Sequence, residues 1–151
     1  MIDGDAVNVI EFNARFGDPE AEVYMRLLDS DLYEILLACA EGRLDPSQVK
    51  WRSGFAVTVV LASPGYPGNY PKGLPITGIE EAEKLDDIVV FHAGTAVQDG
   101  QLVTAGGRVL NVTALGSSLD EALDKAYAAV ELINFEGMHY RTDIGHRPIN
   151  Q

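Results

Sequence analysis

The chain has 151 residues, enough for one domain with a real core, and its 46% hydrophobic and 23% charged residues are the balance of an ordinary folded soluble protein. No apolar run approaches the ~20 residues of a membrane helix, which excludes a helical span. A formal charge of −12 repels phosphate backbones and argues against nucleic-acid partners, and a single cysteine, Cys39, excludes a disulfide framework and a cysteine-rich zinc site.

The opening "MIDGDAVNVIEF" lacks the basic and apolar regions of a secretory signal, so a cytoplasmic location is expected. Residues 6–13, "AVNVIEFN", read as a short apolar strand. Asp18 and Pro19 have the pattern of an N-cap and first helical residue, with Glu20 and Glu22 adding favourable charge in the first turn. The helix is expected to run to about Leu28, to restart with Ser30 as a second cap, and to stop at Gly42. Cys39 falls among Leu, Leu and Ala in that second stretch and is expected to be packed. "RLDPSQVKWRSG" reads as a hinge linker, and "FAVTVVLAS", 55–63, as a strand apolar enough to be central.

"PGYPGNYPKGLP", 64–75, is a long loop of the kind that tends to carry function. Thr77 and Glu80 form a capping-box pattern for a short helix, "GIEEAEKL". Asp99-Gly100 between two apolar runs marks a hairpin, and Gly106-Gly107 the next corner before "RVLNVTALG". Ser118 and Glu121 form another capping box, for the amphipathic helix "LDEALDKAYAAVELI", and the tail is irregular. The fold class is α+β with antiparallel hairpins.

Alternation along the first strand puts Glu11 and Asn13 on one face, opposite Ile10 and Phe12. A carboxylate and an amide oxygen are hard donors suited to Mg²⁺, although they also fit an edge strand meeting water. Arg15 shares that face and is either an anion-neutralising group or a surface ion pair. Asp18 either holds a substrate amine or serves as the cap. The Pro-rich loop is either a phosphate approach or a rigid connector. His92 reads as a structural strand histidine, and Gly94 and Thr95 beside it as candidate lining of a cleft. Arg108 after Gly107 is either a phosphate-binding guanidinium or the exposed arginine of a turn. His139, Asp143 and His146 do not share a helical face and are not read as a zinc site.

"VIEFNARFGDPE" resembles the signature segment of the glycinamide ribonucleotide synthetases (phosphoribosylamine–glycine ligases) of the ATP-grasp superfamily. "SDLYEILLACAEGRL", "VTVVLASPGYPGNYPKG", "VFHAGTA", "VTAGGRVLNVTALG" and "FEGMHYRTDIGHR" match that family in order, over essentially the whole chain. The resemblance implies the C-terminal portion of the ligase. Residues 1–45 would be the end of the ATP-grasp domain, a metal-binding strand plus helix. Residues 46–54 would be a linker, and 55–151 a small α+β domain of antiparallel sheet with flanking helices.

The implied reaction joins glycine to 5-phosphoribosylamine in de novo purine synthesis, releasing ADP and phosphate. The implied cofactors are ATP and Mg²⁺ or Mn²⁺, with Glu11 and Asn13 as metal ligands. Arg15 and Asp18 would be catalytic, and Glu20, His92, Gly94, Thr95 and Arg108 would bind substrate or cofactor. The implied partner is the missing N-terminal portion of the ligase, without which the chain is expected to be inactive. The rival reading is a non-catalytic docking or self-association module derived from that enzyme. An uncovered strand 6–13 would leave residues 1 to about 45 mobile or rearranged, with strand exchange into a homodimer as one route.

Overall fold

The computed structural model describes residues 2–4, 6–10, 12 and 14–145. In chain order its elements are β1 (Ile2–Asp3), β2 (Ala6–Val7), α1 (Glu20–Leu27), α2 (Leu32–Ala40), β3 (Phe55–Ala62), α3 (Ile79–Ala82), β4 (Ile88–His92), β5 (Thr95–Gln98), β6 (Gln101–Thr104), β7 (Arg108–Gly116) and α4 (Leu119–Val130). The class is α+β, as the sequence pattern predicts. β3, β7 and β4 form an antiparallel sheet in that order, and β5–β6 is the hairpin across Asp99-Gly100. Both turn residues have positive φ, which Asp and Gly tolerate.

β7, not β3, is the central strand. Its residues 109–114 are all buried, as a strand covered on both faces requires, whereas β3 alternates between buried and half-buried positions. On one face Val57, Val59 and Leu61 lie beside Ala114, Val112 and Leu110 and pack with Ile88 and Val90 against Ala122, Ala126, Ala129 and Val130 of α4. The alanines on α4 present little side chain, so the helix lies close to the sheet. Ile133 and Phe135, just past α4, are also buried in this core. The other face carries Thr58, Val60, Asn111 and Thr113 and is met by α1.

The helix starts divide cleanly. Ser118 caps α4, its Oγ accepting from Glu121 N at 3.1 Å, while the Glu121 carboxylate accepts from Ser117 N at 2.8 Å. Gly42 ends the second helix with φ of +66° and a bond from its N–H to Cys39 O. Three caps differ from expectation. Asp18 does not cap α1; Pro19 holds that position with no side-chain cap bond. Asp31 rather than Ser30 caps α2, accepting from Glu34 N at 3.2 Å, because the Ser30 hydroxyl donates to Gln48 O and accepts from Lys50 N. Thr77 does not cap α3, because its backbone N–H and C=O pair with Asn134, leaving Gly78 at the cap position with φ of +87°.

Of the described residues in 6–13 only Ala6–Val7 is strand, shorter than expected, and it pairs with Ile2–Asp3 in a short hairpin. Among the described residues no other strand flanks that hairpin. Val7, Val9, Ile10 and Phe12 are exposed, Phe12 to 90%. Cys39 is exposed rather than packed, since the apolar helix α2 buries only Ala38. The stretch after α2 makes a 3₁₀ turn, Pro46–Gln48, and runs back along the α1–α2 junction, with Arg52 N bonded to Leu27 O and Asp29 N to Lys50 O. Among the described residues no helix is long and apolar enough to cross a membrane.

Candidate functional site

The charged groups read from the sequence gather where the start of α1 meets the start of β7. A β-bulge sets this up. Leu61 pairs with Leu110 but Ala62 pairs with Arg108, so Val109 is an extra residue. Without it, Arg108 and Asn111 would point to opposite faces; with it, both lie on the face that α1 covers. Arg108 thereby reaches the turn before α1. Its Nη1 donates to the Asp18 carbonyl and lies 3.4 Å from the Asp18 carboxylate. Its Nε donates to the Tyr66 hydroxyl at 3.1 Å. The Tyr66 bond, with Asp18 adding to it, raises the guanidinium pKa further against the opposing effect of partial burial.

Tyr66 comes from the Pro-rich loop, and its ring lies against Gly107. A Cβ on Gly107 would sit 2.2 Å from the Tyr66 ring and 3.0 Å from that of Tyr70, so only glycine admits both rings. Ser63 anchors the loop, its N–H donating to Gly107 O and its hydroxyl to Gly106 O, each at 2.8 Å. The long loop and the double-glycine corner are thus one structural unit.

Arg15 and Glu20 line a groove of about 640 Å³ with Ala14, Phe16, Gly17 and Tyr24. Arg15 makes no ion pair among the described residues; its Nη1 donates to the neighbouring Phe16 carbonyl at 2.9 Å. Glu20 folds back over Gly17, where a Cβ would meet its carboxylate at 2.1 Å. Glu11 and Asn13 lie outside the described residues.

His92 lies elsewhere. Its Nδ1 is 3.0 Å from Thr95 Oγ1, and it lines a second groove of about 520 Å³ with Ile76, Glu80 and Leu102 among others. Gly94 has a packing reason of its own, because a Cβ there would meet Arg108 O at 2.5 Å and Gly106 Cα at 2.6 Å. His139 pairs through its backbone with Ala62, and Asp143 pairs with Arg141, while His146 lies outside the described residues. Among the described residues no three His, Cys, Asp or Glu come together as metal ligands.

A polar seam that the sequence pattern does not announce lies between α1 and the sheet. Asn111, fully buried on β7, donates from Nδ2 to Glu22 Oε1 at 2.6 Å. Asn111 Oδ1, Glu22 Oε2 and Arg26 Nε are buried and have no partner among the described residues. Arg26 reaches across to donate to Asp87 O at 3.0 Å, and its burial lowers the guanidinium pKa. The available signal was an asparagine in the middle of the apolar run "RVLNVTALG".

Fold and site define an α+β domain whose sheet is covered by α4 on one face and by α1 on the other, with paired charges in the turn before α1 and a groove lined by neighbouring residues. A family model described as "Phosphoribosylglycinamide synthetase, C domain" matches residues 56–147, and the chain belongs to that family. The phosphoribosylamine–glycine ligase of Synechocystis sp. is 50% identical over 95% of this chain and 34% of that protein. The trifunctional purine biosynthetic protein adenosine-3 of Gallus gallus is 53% identical over 99% of this chain and 15% of that protein. The crystal structure of phosphoribosylamine–glycine ligase from Thermotoga maritima matches with a TM-score of 0.76 and 40% identity, over 93% of this chain and 34% of that one. The chain therefore spans about a third of the length of the single-function ligases it matches.

Proposed function

We propose that the chain supplies the C-terminal part of an ATP-dependent ligase that joins glycine to 5-phosphoribosylamine, releasing ADP and phosphate. The observation that carries this reading is the convergence of Asp18 and Arg108, 90 residues apart in sequence, where the turn before α1 meets the start of β7 in a domain whose family is defined by such ligases. In this reading Arg108 and Arg15 hold anionic substrate groups, Asp18 holds an amine, and Glu20 faces the same groove. His92, with Gly94 and Thr95 beside it, would contact substrate or cofactor from a separate groove. Positioning of this kind does most of the work where phosphoryl transfer and amine attack need alignment more than covalent help. Glu11 and Asn13 are the proposed ligands of Mg²⁺ or Mn²⁺, on the strength of their hard oxygen donors; the ion would offset phosphate charge on ATP.

Most of the ATP site is proposed to lie in the N-terminal portion of the ligase, which is the partner this chain needs. The test is ADP release with glycine, phosphoribosylamine and Mg-ATP, using this chain mixed with a separately made N-terminal portion of a related ligase. Activity that requires both pieces and is lost in Glu11→Gln is the expected result. A folded chain that binds the other piece yet restores no activity would overturn it in favour of a docking module.

A further inference from the structure

Arg108 has three nitrogens, and the protein occupies two of them. Nε is held by the Tyr66 hydroxyl and Nη1 by Asp18, while Nη2 has no partner among the described residues. The guanidinium is only partly buried, so that remaining edge is within reach of a ligand. Tyr66 is itself immobilised by its ring against Gly107, by the tilted contact with Tyr70 at 6.3 Å between centroids, and by the two Ser63 bonds to the glycine corner. A hydroxyl that accepts from Nε keeps its own proton to donate.

We propose that Tyr66 is a positioning residue: it fixes the Arg108 guanidinium so that its free edge, with the Tyr66 O–H beside it, binds a phosphate-type oxyanion. A free arginine side chain loses rotamer entropy when it binds an anion, and prior fixation removes that cost. Nη2 and the Tyr66 O–H on the same side of the guanidinium present two fixed donors to a tetrahedral oxyanion, which a lone point charge does not. Asp18 occupies Nη1, one half of the outer edge, and leaves Nη2 with its two N–H donors free, at the expense of some attraction. This inference rests on the reading of Arg108 as a substrate-facing group and adds the residue that makes it so.

The test uses the full chain and inorganic phosphate as the probe, with acetate as the comparison. Side-chain NMR of the arginine Nε–H groups follows Arg108 directly. In the wild-type chain phosphate is expected to shift the Arg108 signal saturably, and acetate to do so more weakly. Tyr66→Phe keeps the ring on Gly107, so the melting temperature should hold, while the Arg108 Nε–H signal moves and phosphate affinity falls about tenfold. Arg108→Lys keeps the charge but loses the fork, and should weaken phosphate binding at least as much. Unchanged phosphate affinity and an unmoved Nε–H signal in Tyr66→Phe, with binding lost in Arg108→Lys, would overturn the role of Tyr66 and leave Arg108 standing. No saturable shift at Arg108 in the wild-type chain would overturn the underlying reading of Arg108, and this inference with it.

Discussion

Asn111 has no exposed surface, and among the described residues its amide is the only donor to the Glu22 carboxylate. A partly buried carboxylate that loses its one donor bears the desolvation cost unrelieved, whereas replacing both groups by apolar ones removes the problem. Asn111→Val alone is therefore expected to destabilise the chain by about 2 kcal/mol, and the Asn111→Val, Glu22→Leu double variant by clearly less. Urea unfolding of the two single variants and the double measures the coupling; additive effects would show that the pair does not interact. Residues at this scale were unevenly legible. Asp18 and Arg108 stand out in the sequence as charges beside turns and Glu22 as a charge in a first helical turn, but Tyr66 and Asn111 do not. Their partners lie 42 and 89 residues away, and a bulge of one residue decides which face Arg108 shares.

Helix α4 is the element that seals the core, and its seat on the sheet is partly electrostatic. Lys125 joins Glu121 at 2.8 Å on its own helix and Asp87 at 2.7 Å before β4. Hydrogen bonds to Asp87 and Glu121 push the Lys125 pKa up to about 12. Bonds from Lys125 and then Ser117 bring Glu121 down to about 2. The Glu121 contribution is fully present above its ordinary value of 4.5 and is lost as pH falls toward 2. The Lys125 contribution is fully present below 10.5 and is lost as pH rises through about 12. Lys125→Met is therefore expected to lower the melting temperature most between these limits and progressively less as pH falls from 4.5 toward 2. Because the groups are solvent-accessible, the difference should be modest and should shrink in high salt. A deficit equally large at pH 2 to 3 would show that Lys125 acts by packing alone.

Element starts were legible where the capping group had no competitor, as at Ser118. They were misread where tertiary pairing claimed it: Ser30 by Gln48 and Lys50, Thr77 by Asn134, Asp18 by Arg108. The apolar sequence of β3 points to a central strand; the pairing order puts it at an edge, beside β7.

Across the whole molecule, packing is graded along the chain. β3, β7 and α4 share one dense core, α1 lies on its second face through the polar seam, and α2 buries only Ala38 despite being almost entirely apolar. Before α1, Val9, Ile10, Phe12 and Phe16 are exposed in sequence. A nine-residue helix is marginal without tertiary support, and an unpaired apolar strand end is a site for further pairing. Under the proposed function, the N-terminal portion of the ligase would cover both surfaces. Hydrogen exchange on the monomeric chain should find β7 and α4 slowest, α1 intermediate, and α2 and residues 6–10 fastest, following the contacts that must break for each to open. Adding the N-terminal portion of a related ligase should slow exchange in α2 and residues 6–10 and leave β7 unchanged. Protection of those two regions equal to that of β7 in the monomer would mean that they are already covered within this chain, and the surface proposed for the ligase partner would have to lie elsewhere.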